Sequence, residues 1–179
     1  EVNLRIGVTE AEVLLRELDP ETQDYVEVAR FAPAAETVPD SYRRAQAATG
    51  TRYRVTLAEG VTSWQVVESL RVFDVLTGEI ADLPEEGRLA PDSYEIRAGE
   101  ARAALIGRME QRQQAILEDL WPTRAPGLPL DSPEEALILA SIVEKETALP
   151  EERPTVAAVF VNRLERGMRL QTDPTVIYG

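Results

Sequence analysis

The sequence predicts an α+β fold in which a small β-rich N-terminal region precedes a region that mixes helices and strands. Two observations predict this. Apolar and polar residues alternate through much of the chain up to residue 57, which is the period of half-buried strands. Further along, apolar residues recur instead at helical spacing, most clearly over 100–120. We therefore expect two regions, 1–80 and 81–179.

The first region is predicted to contain four strands. Alternation over 2–8 indicates the first. Two further runs, 13–18 and 25–31, flank a turn-forming segment that begins with Asp and Pro, and this pattern is typical of a hairpin with a long loop. A short helix is expected from Asp40, and 51–57 resumes a strand.

Three elements are predicted next along the chain. Thr62 followed by Gln65 is a capping-box pattern, which predicts a short helix through about Val72. The segment 91–96 has the pattern of a turn that leads into a strand. A long amphipathic helix should then occupy 100–120.

The last stretch of the chain has the clearest helix boundaries. Ser132 is a good N-cap, followed by a proline at the first helical position and a glutamate that completes a capping box. The helix is expected to end near Ala148. A second helix is expected over 154–166, with Gly167 placed to terminate it. The segment 168–179 is predicted to form a strand, an Asp-Pro turn and another strand.

Composition excludes several kinds of site. The chain has no His and no Cys, which excludes Ser-His-Asp triads, Cys-His pairs and thiolate or histidine metal sites. No cofactor or metal is expected, and proton transfer falls to carboxylates, Tyr, Lys or water. Asp and Glu total 32 against 19 Lys and Arg, a net charge of −13, which disfavours nucleic acid as a partner and leaves a glycan compatible.

Glu144 and Glu146 are candidate chemical groups at the end of the Ser132 helix. Residues two apart on a helix point roughly 200° apart, so the two carboxylates cannot cooperate. Glu146 extends the more apolar stripe, and apolar neighbours help a carboxyl group to keep its proton, as a general acid must. The alternative, which spacing alone favours, is that both glutamates belong to a solvated helix end.

Polar residues near the end of the chain could recognise a sugar. Amide, hydroxyl, carboxylate and phenol groups that converge near a carboxylate suit the hydroxyls and amides of a glycan. These candidate substrate-binding residues are Asn162, Gln171, Thr172, Asp173 and Tyr178. The alternative is ordinary turn chemistry at Asp173 and an exposed helix surface at Asn162.

A resemblance favours the functional interpretation. The helix segment 139–147 is similar to the signature helix of the endolytic murein transglycosylases, the MltG/YceG-like family. The other closely matching segments are 152–153, 159–164 and 167–179. Segments 57–62 and 90–94 match more loosely, and 1–50 matches weakly.

The resemblance implies a peptidoglycan lytic transglycosylase that cleaves the β-1,4 bond between MurNAc and GlcNAc within nascent strands and leaves 1,6-anhydroMurNAc ends. The family's catalytic glutamate falls on Glu146. A LysM-like module in region 1–80 would precede the catalytic domain, whose first part would be 81–179. We expect the rest of that domain after Gly179.

The resemblance also implies a place in the cell. It indicates a single-pass protein of the bacterial inner membrane, with its anchor before residue 1 and its catalytic part in the periplasm. Its partners would be glycan strands and, as candidates, cell-wall synthases. The alternative from another class is a non-catalytic glycan-binding or scaffold protein of cell-wall synthesis that retains the helix for packing.

Overall fold

The computed structural model describes residues 1–35 and 37–172, and these fall into two compact units, one up to Gln113 and one from Gln114 onwards. The α+β class predicted from the sequence is confirmed. The first unit extends to Gln113. It does so because a strand at Ser93–Ile96 pairs with Tyr53–Leu57 and therefore joins the N-terminal sheet.

The strands of the first unit form one mixed sheet in the part of the chain that the structure describes. Its order is β3-β2-β1-β4-β5, in which β1 pairs antiparallel with β2 and parallel with β4. The strands are β1 (Val2–Ile6), β2 (Ala11–Leu18), β3 (Tyr25–Phe31), β4 (Tyr53–Leu57) and β5 (Ser93–Ile96). The strands predicted up to residue 96 are confirmed, each within a few residues of its expected bounds.

Helices cover the apolar side of this sheet. They are α1 (Asp40–Ala47), α2 (Ser63–Val72) and α3 (Arg102–Leu120). Val2, Leu4 and Ile6 of β1 and the alternate residues of β4 are buried on one face of the sheet, and Val2 pairs with Tyr53 while Ile6 pairs with Leu57. Tyr42 of α1 and Leu105 of α3 join the same core. A shift of one residue in the pairing would turn these apolar side chains away from the core, and this fixes the register of the strands.

Both ends of α2 are capped. The N–H of Gln65 donates to the hydroxyl of Thr62 at 3.2 Å, and the N–H of Thr62 donates to Gln65 Oε1 at 2.9 Å, so the predicted capping box is confirmed. At the other end the Arg102 guanidinium donates to the carbonyl oxygens of Leu70 and Phe73, at 2.6 and 3.0 Å. These bonds satisfy carbonyl groups that a helix terminus leaves without partners.

The second unit is built on two helices, α4 (Pro133–Glu146) and α5 (Arg153–Glu165), after a short 3-10 helix at Trp121–Thr123. The Ser132 hydroxyl accepts the N–H of Glu135 at 3.2 Å, as expected of an N-cap. In a full capping box the Glu135 carboxylate would accept the N–H of Ser132. It accepts instead the N–H of the preceding residue, Asp131, at 2.7 Å. A small apolar core joins the helices and consists of Leu139, Ile142, Val143 and Phe160.

Two expectations for the end of the chain differ from the structure. The α4 helix ends at Glu146 rather than near Ala148, because Thr147 adopts an extended conformation. The strand predicted from Met168 is wrong as far as Thr172, where the chain forms an irregular loop. Its predicted continuation, 173–179, lies outside the described residues. Among residues 1–35 and 37–172, no helix is both long enough and apolar enough to cross a membrane.

Candidate functional site

Glu146 is the last residue of α4, and a network around Thr147 fixes the chain that follows it. The N–H of Thr147 donates to the carbonyl of Val143 at 3.2 Å and so completes the helix end. The Thr147 hydroxyl donates to the Glu152 carboxylate at 2.8 Å and accepts the N–H of Leu149 at 3.1 Å. These bonds fix the connection between α4 and α5 directly after Glu146.

A groove of about 400 Å³ lies beside Glu146 in the second unit. One face of α5 supplies four of its lining residues, at the i, i+3, i+4 and i+7 spacing of a single helical stripe. These residues are Val156, Val159, Phe160 and Arg163. The other described residues that line it are Glu146, Gln171 and Thr172. The groove thus combines an apolar helix face with amide, hydroxyl, guanidinium and carboxylate groups.

The loop after α5 returns towards Glu146. Gly167 has φ +63°, and its N–H donates to the carbonyl of Leu164 at 3.0 Å. The N–H of Met168 donates to the carbonyl of Arg163 at 2.8 Å. Together these bonds form a Schellman motif, which ends a helix with a left-handed glycine. The predicted termination of the helix at Gly167 is confirmed.

The end of this loop contacts the carboxylate. The hydroxyl of Thr172 donates to Oε1 of Glu146. Gln171, directly before it, has φ +51°, a left-handed conformation that is uncommon for a residue with a side chain. The contact orients the carboxylate group within the groove.

The surroundings of Glu146 differ from those that the sequence suggested. An apolar stripe on its own helix was expected to shield the carboxyl group, but Glu146 is exposed because α4 ends at this residue. Its apolar neighbours in the groove come from α5 instead. An exposed carboxylate in a groove is accessible to a ligand. Glu144 is also exposed and is not among the described residues that line the groove.

The other candidate residues fall into three groups. Gln171 and Thr172 line the groove with Glu146. Asn162 lies on α5 away from the groove stripe, and its side-chain amide donates to the carbonyl of Ala158 at 2.8 Å. Asp173 and Tyr178 lie outside the described residues.

Sequence reasoning did not select Arg163 or the apolar residues of α5 that line the groove. The signal was present, because Val156, Val159, Phe160 and Arg163 share helical spacing. Recognising it required knowing which face of α5 meets Glu146, and this depends on the α4–α5 connection. Among residues 1–35 and 37–172, no group of three or more acidic side chains is placed to hold a metal ion.

The sequence is similar to proteins named endolytic murein transglycosylase. An endolytic murein transglycosylase of Streptococcus pneumoniae serotype 2 (strain D39 / NCTC 7466) is 36% identical over 95 residues, which is 52% of this chain and 17% of the relative. One of Bacillus subtilis (strain 168) is 49% identical over 43 residues, which is 24% of this chain and 12% of the relative. The chain thus spans less than a fifth of the length of these relatives. The model of the YceG-like family matches residues 31–179, and the chain belongs to this family.

Proposed function

We propose that the chain is part of a peptidoglycan lytic transglycosylase. It would cleave the β-1,4 bond between MurNAc and GlcNAc within nascent glycan strands and leave 1,6-anhydroMurNAc ends. The relatives named endolytic murein transglycosylase support the reaction class. The observation that carries the proposal is the placement of Glu146, exposed in a groove with a hydroxyl donor on its carboxylate.

The lining of the groove suits a glycan strand. A pyranose ring has apolar C–H faces and a rim of hydroxyl and amide groups. Val156, Val159 and Phe160 offer an apolar wall for the ring faces. Gln171 offers an amide that can both donate and accept hydrogen bonds with the rim. We propose Asn162, Asp173 and Tyr178 as further binding residues on the sequence pattern and the family resemblance.

The proposed chemistry uses one carboxyl group. Glycoside hydrolases generally need two carboxyl groups, one to protonate the leaving group and one to activate water or attack the sugar. Among the described residues that line the groove, Glu146 is the only carboxylate. One carboxyl group suffices when the sugar's own C6 hydroxyl is the nucleophile, because the same residue can act first as acid and then as base.

The steps then balance without water. The protonated Glu146 donates its proton to the glycosidic oxygen as the bond from C1 of MurNAc to that oxygen breaks. The C6 oxygen forms a bond to C1, and the Glu146 carboxylate accepts the C6 hydroxyl proton. GlcNAc leaves with a free 4-hydroxyl group, MurNAc becomes the 1,6-anhydro sugar, and Glu146 is protonated again.

The wider setting is also proposed from the resemblance. A LysM-like module would include or border β4 and α2, and the catalytic part would follow it. We propose an envelope protein with a membrane anchor outside this chain, a catalytic part in the periplasm, and glycan strands as its substrate. Cell-wall synthases are its candidate protein partners.

The test is to identify the products from uncrosslinked glycan strands by mass spectrometry. The complete extracytoplasmic portion of the protein is compared with its Glu146→Gln variant. Glu144→Gln is the matched control, because it makes the same change on the same helix end at an exposed residue outside the described groove lining. Anhydro ends from the wild type and the control, but not from Glu146→Gln, would establish the proposal.

Two other outcomes would replace it. Reducing ends instead of anhydro ends would mean that water is the nucleophile and that a second carboxylate takes part. No cleavage by a folded, complete extracytoplasmic portion would favour the non-catalytic glycan-binding or scaffold protein.

A further inference from the structure

Arg163 holds the loop 166–172 at two points. Its backbone carbonyl accepts the N–H of Met168 at 2.8 Å, within the helix-ending motif. Its guanidinium Nη1 donates to the carbonyl oxygen of Leu170, beyond the end of the helix. The second contact lies two residues before Thr172, whose hydroxyl donates to Glu146.

The backbone between these two contacts is in an uncommon conformation. Gln171 has φ +51°, and a residue with a side chain is held in this region only when its surroundings impose it. The Arg163–Leu170 bond precedes Gln171 and the Thr172–Glu146 bond follows it. The two bonds therefore fix the chain on either side of the turn that directs Thr172 to the carboxylate.

We propose that Arg163 is a positioning residue for Glu146. By holding the carbonyl of Leu170, it sets the loop so that the Thr172 hydroxyl orients the Glu146 carboxylate. This inference rests on the proposed function, since the carboxylate that is oriented is the proposed acid and base. Arg163 acts through Thr172 and not on the reacting atoms.

The arginine side chain does more than end the helix. The Schellman motif uses the backbone of Arg163, and any residue at this position supplies that carbonyl. The guanidinium instead reaches past the helix end to Leu170, and Arg163 lines the groove together with Val159 and Phe160. Since the side chain is only half-buried, its role in the apolar core of the unit is small.

The experiment is a double-mutant cycle on the complete extracytoplasmic portion. The kcat and KM for anhydro-product formation are measured for Arg163→Met, Thr172→Val and the double variant. Each single change should lower kcat about tenfold with little change in KM, as expected for losing one hydrogen bond that acts on the reacting group. The double variant should be no slower than the slower single variant, because both changes break the same path.

Two further variants control the cycle. Arg166→Met makes the same change at an exposed arginine that is not among the described groove residues, and it should keep the wild-type kcat. Arg163→Lys keeps the charge and one hydrogen-bond donor, so its kcat should lie between those of the wild type and Arg163→Met. If Arg163→Met does not fold, Arg163→Lys replaces it in the cycle.

A wild-type kcat for Arg163→Met, or losses that multiply in the double variant, would overturn the inference. If the wild type forms no product, the proposed function fails, and the carboxyl ¹³C resonance of Glu146 then decides the positioning role separately. Arg163→Met and Thr172→Val should shift this resonance in the same direction while Arg166→Met leaves it in place. An unchanged resonance in Arg163→Met would overturn the positioning role.

Discussion

The hydroxyl of Thr147 donates to the carboxylate of Glu152 at 2.8 Å, so the residue after Glu146 joins the end of α4 to the start of α5. The same hydroxyl accepts the N–H of Leu149 at 3.1 Å. Thr147 is only 7% exposed, whereas Leu149 and Glu152 are exposed, so both bonds are partly buried. The connection between the two groove-forming helices therefore depends on one buried hydroxyl.

Replacing Thr147 by Val should destabilise the second unit by about 1–2 kcal/mol, because the Leu149 N–H loses its acceptor and the Glu152 carboxylate loses its donor. Urea denaturation followed by helical circular dichroism measures the change. Thr147→Ser keeps the hydroxyl and should lose much less stability. Equal losses in the two variants would mean that the methyl group, and not the hydroxyl, holds the connection.

Local sequence patterns predicted most of the elements. The strand Tyr25–Phe31 has its predicted bounds, and α5 ends before Gly167, because alternation and capping depend on neighbouring residues. The parallel pairing of Val2 with Tyr53 is not local, since it depends on how the whole sheet packs. The shift in pairing between Leu15 and Arg16 left no local signal either.

The candidate site was predictable in part for the same reason. Glu146, Gln171 and Thr172 were selected from pattern and resemblance, and the structure brings them to one groove. Alternation predicts a strand for the segment that includes Leu170. The segment forms a loop instead, and alternation does not report the contacts that this loop makes with Glu146 and Arg163. Arg163 was not selected since its role depends on that loop returning to Glu146.

A side chain at residue 167 should lower the stability of the second unit because the backbone there is left-handed, and not because neighbouring atoms are too close. It has φ +63°, and an added Cβ would meet no atom within 4 Å among the described residues other than its chain neighbours. Gly167→Ala should therefore destabilise the second unit by only about 1 kcal/mol, the cost of the left-handed conformation. Gly167→Asn should cost less, since Asn tolerates this region better. Urea midpoints of the two variants provide the measurement, and a larger loss for Asn than for Ala would contradict the backbone explanation.

The first unit should lose stability at alkaline pH. Burial, and then the nearby Asp92 charge, raises the pKa of Tyr94 to about 12. Burial, and then its hydrogen bond to Asp74, also raises the pKa of Tyr42. In the unfolded chain a tyrosine loses its proton at about pH 10. The stability that these groups contribute is thus complete below about pH 10 and is lost as the pH rises through the folded values.

The measurement is the urea midpoint of the wild type as a function of pH, from about pH 9 to 12. It should be nearly constant at first and then fall above about pH 10. Tyr42→Phe and Tyr94→Phe should each reduce the fall, because phenylalanine has no proton to lose. A double variant with the wild-type slope would show that other groups cause the alkaline loss.

Phe160 should affect both stability and binding, because it serves the core and the groove together. It is 5% exposed, packs with Leu139, Ile142 and Val143, and lines the groove beside Glu146. Phe160→Ala should lower the free energy of unfolding of the second unit by about 3–5 kcal/mol, the usual loss for an aromatic residue in a core. The core of this unit is small, so few neighbouring side chains can move to fill the cavity. Urea denaturation of the variant measures this loss.

Phe160→Leu separates the two roles. It keeps most of the apolar volume, so the second unit should stay folded with a loss of about 1 kcal/mol. It removes the flat ring from the wall of the groove, so KM for glycan strands should rise while kcat changes little, since the Thr172 contact with Glu146 is left in place. Val159→Ala, at an exposed neighbour on the same stripe, should raise KM less. A fall in kcat at constant KM would place Phe160 in the orientation of Glu146 rather than in the binding of the sugar.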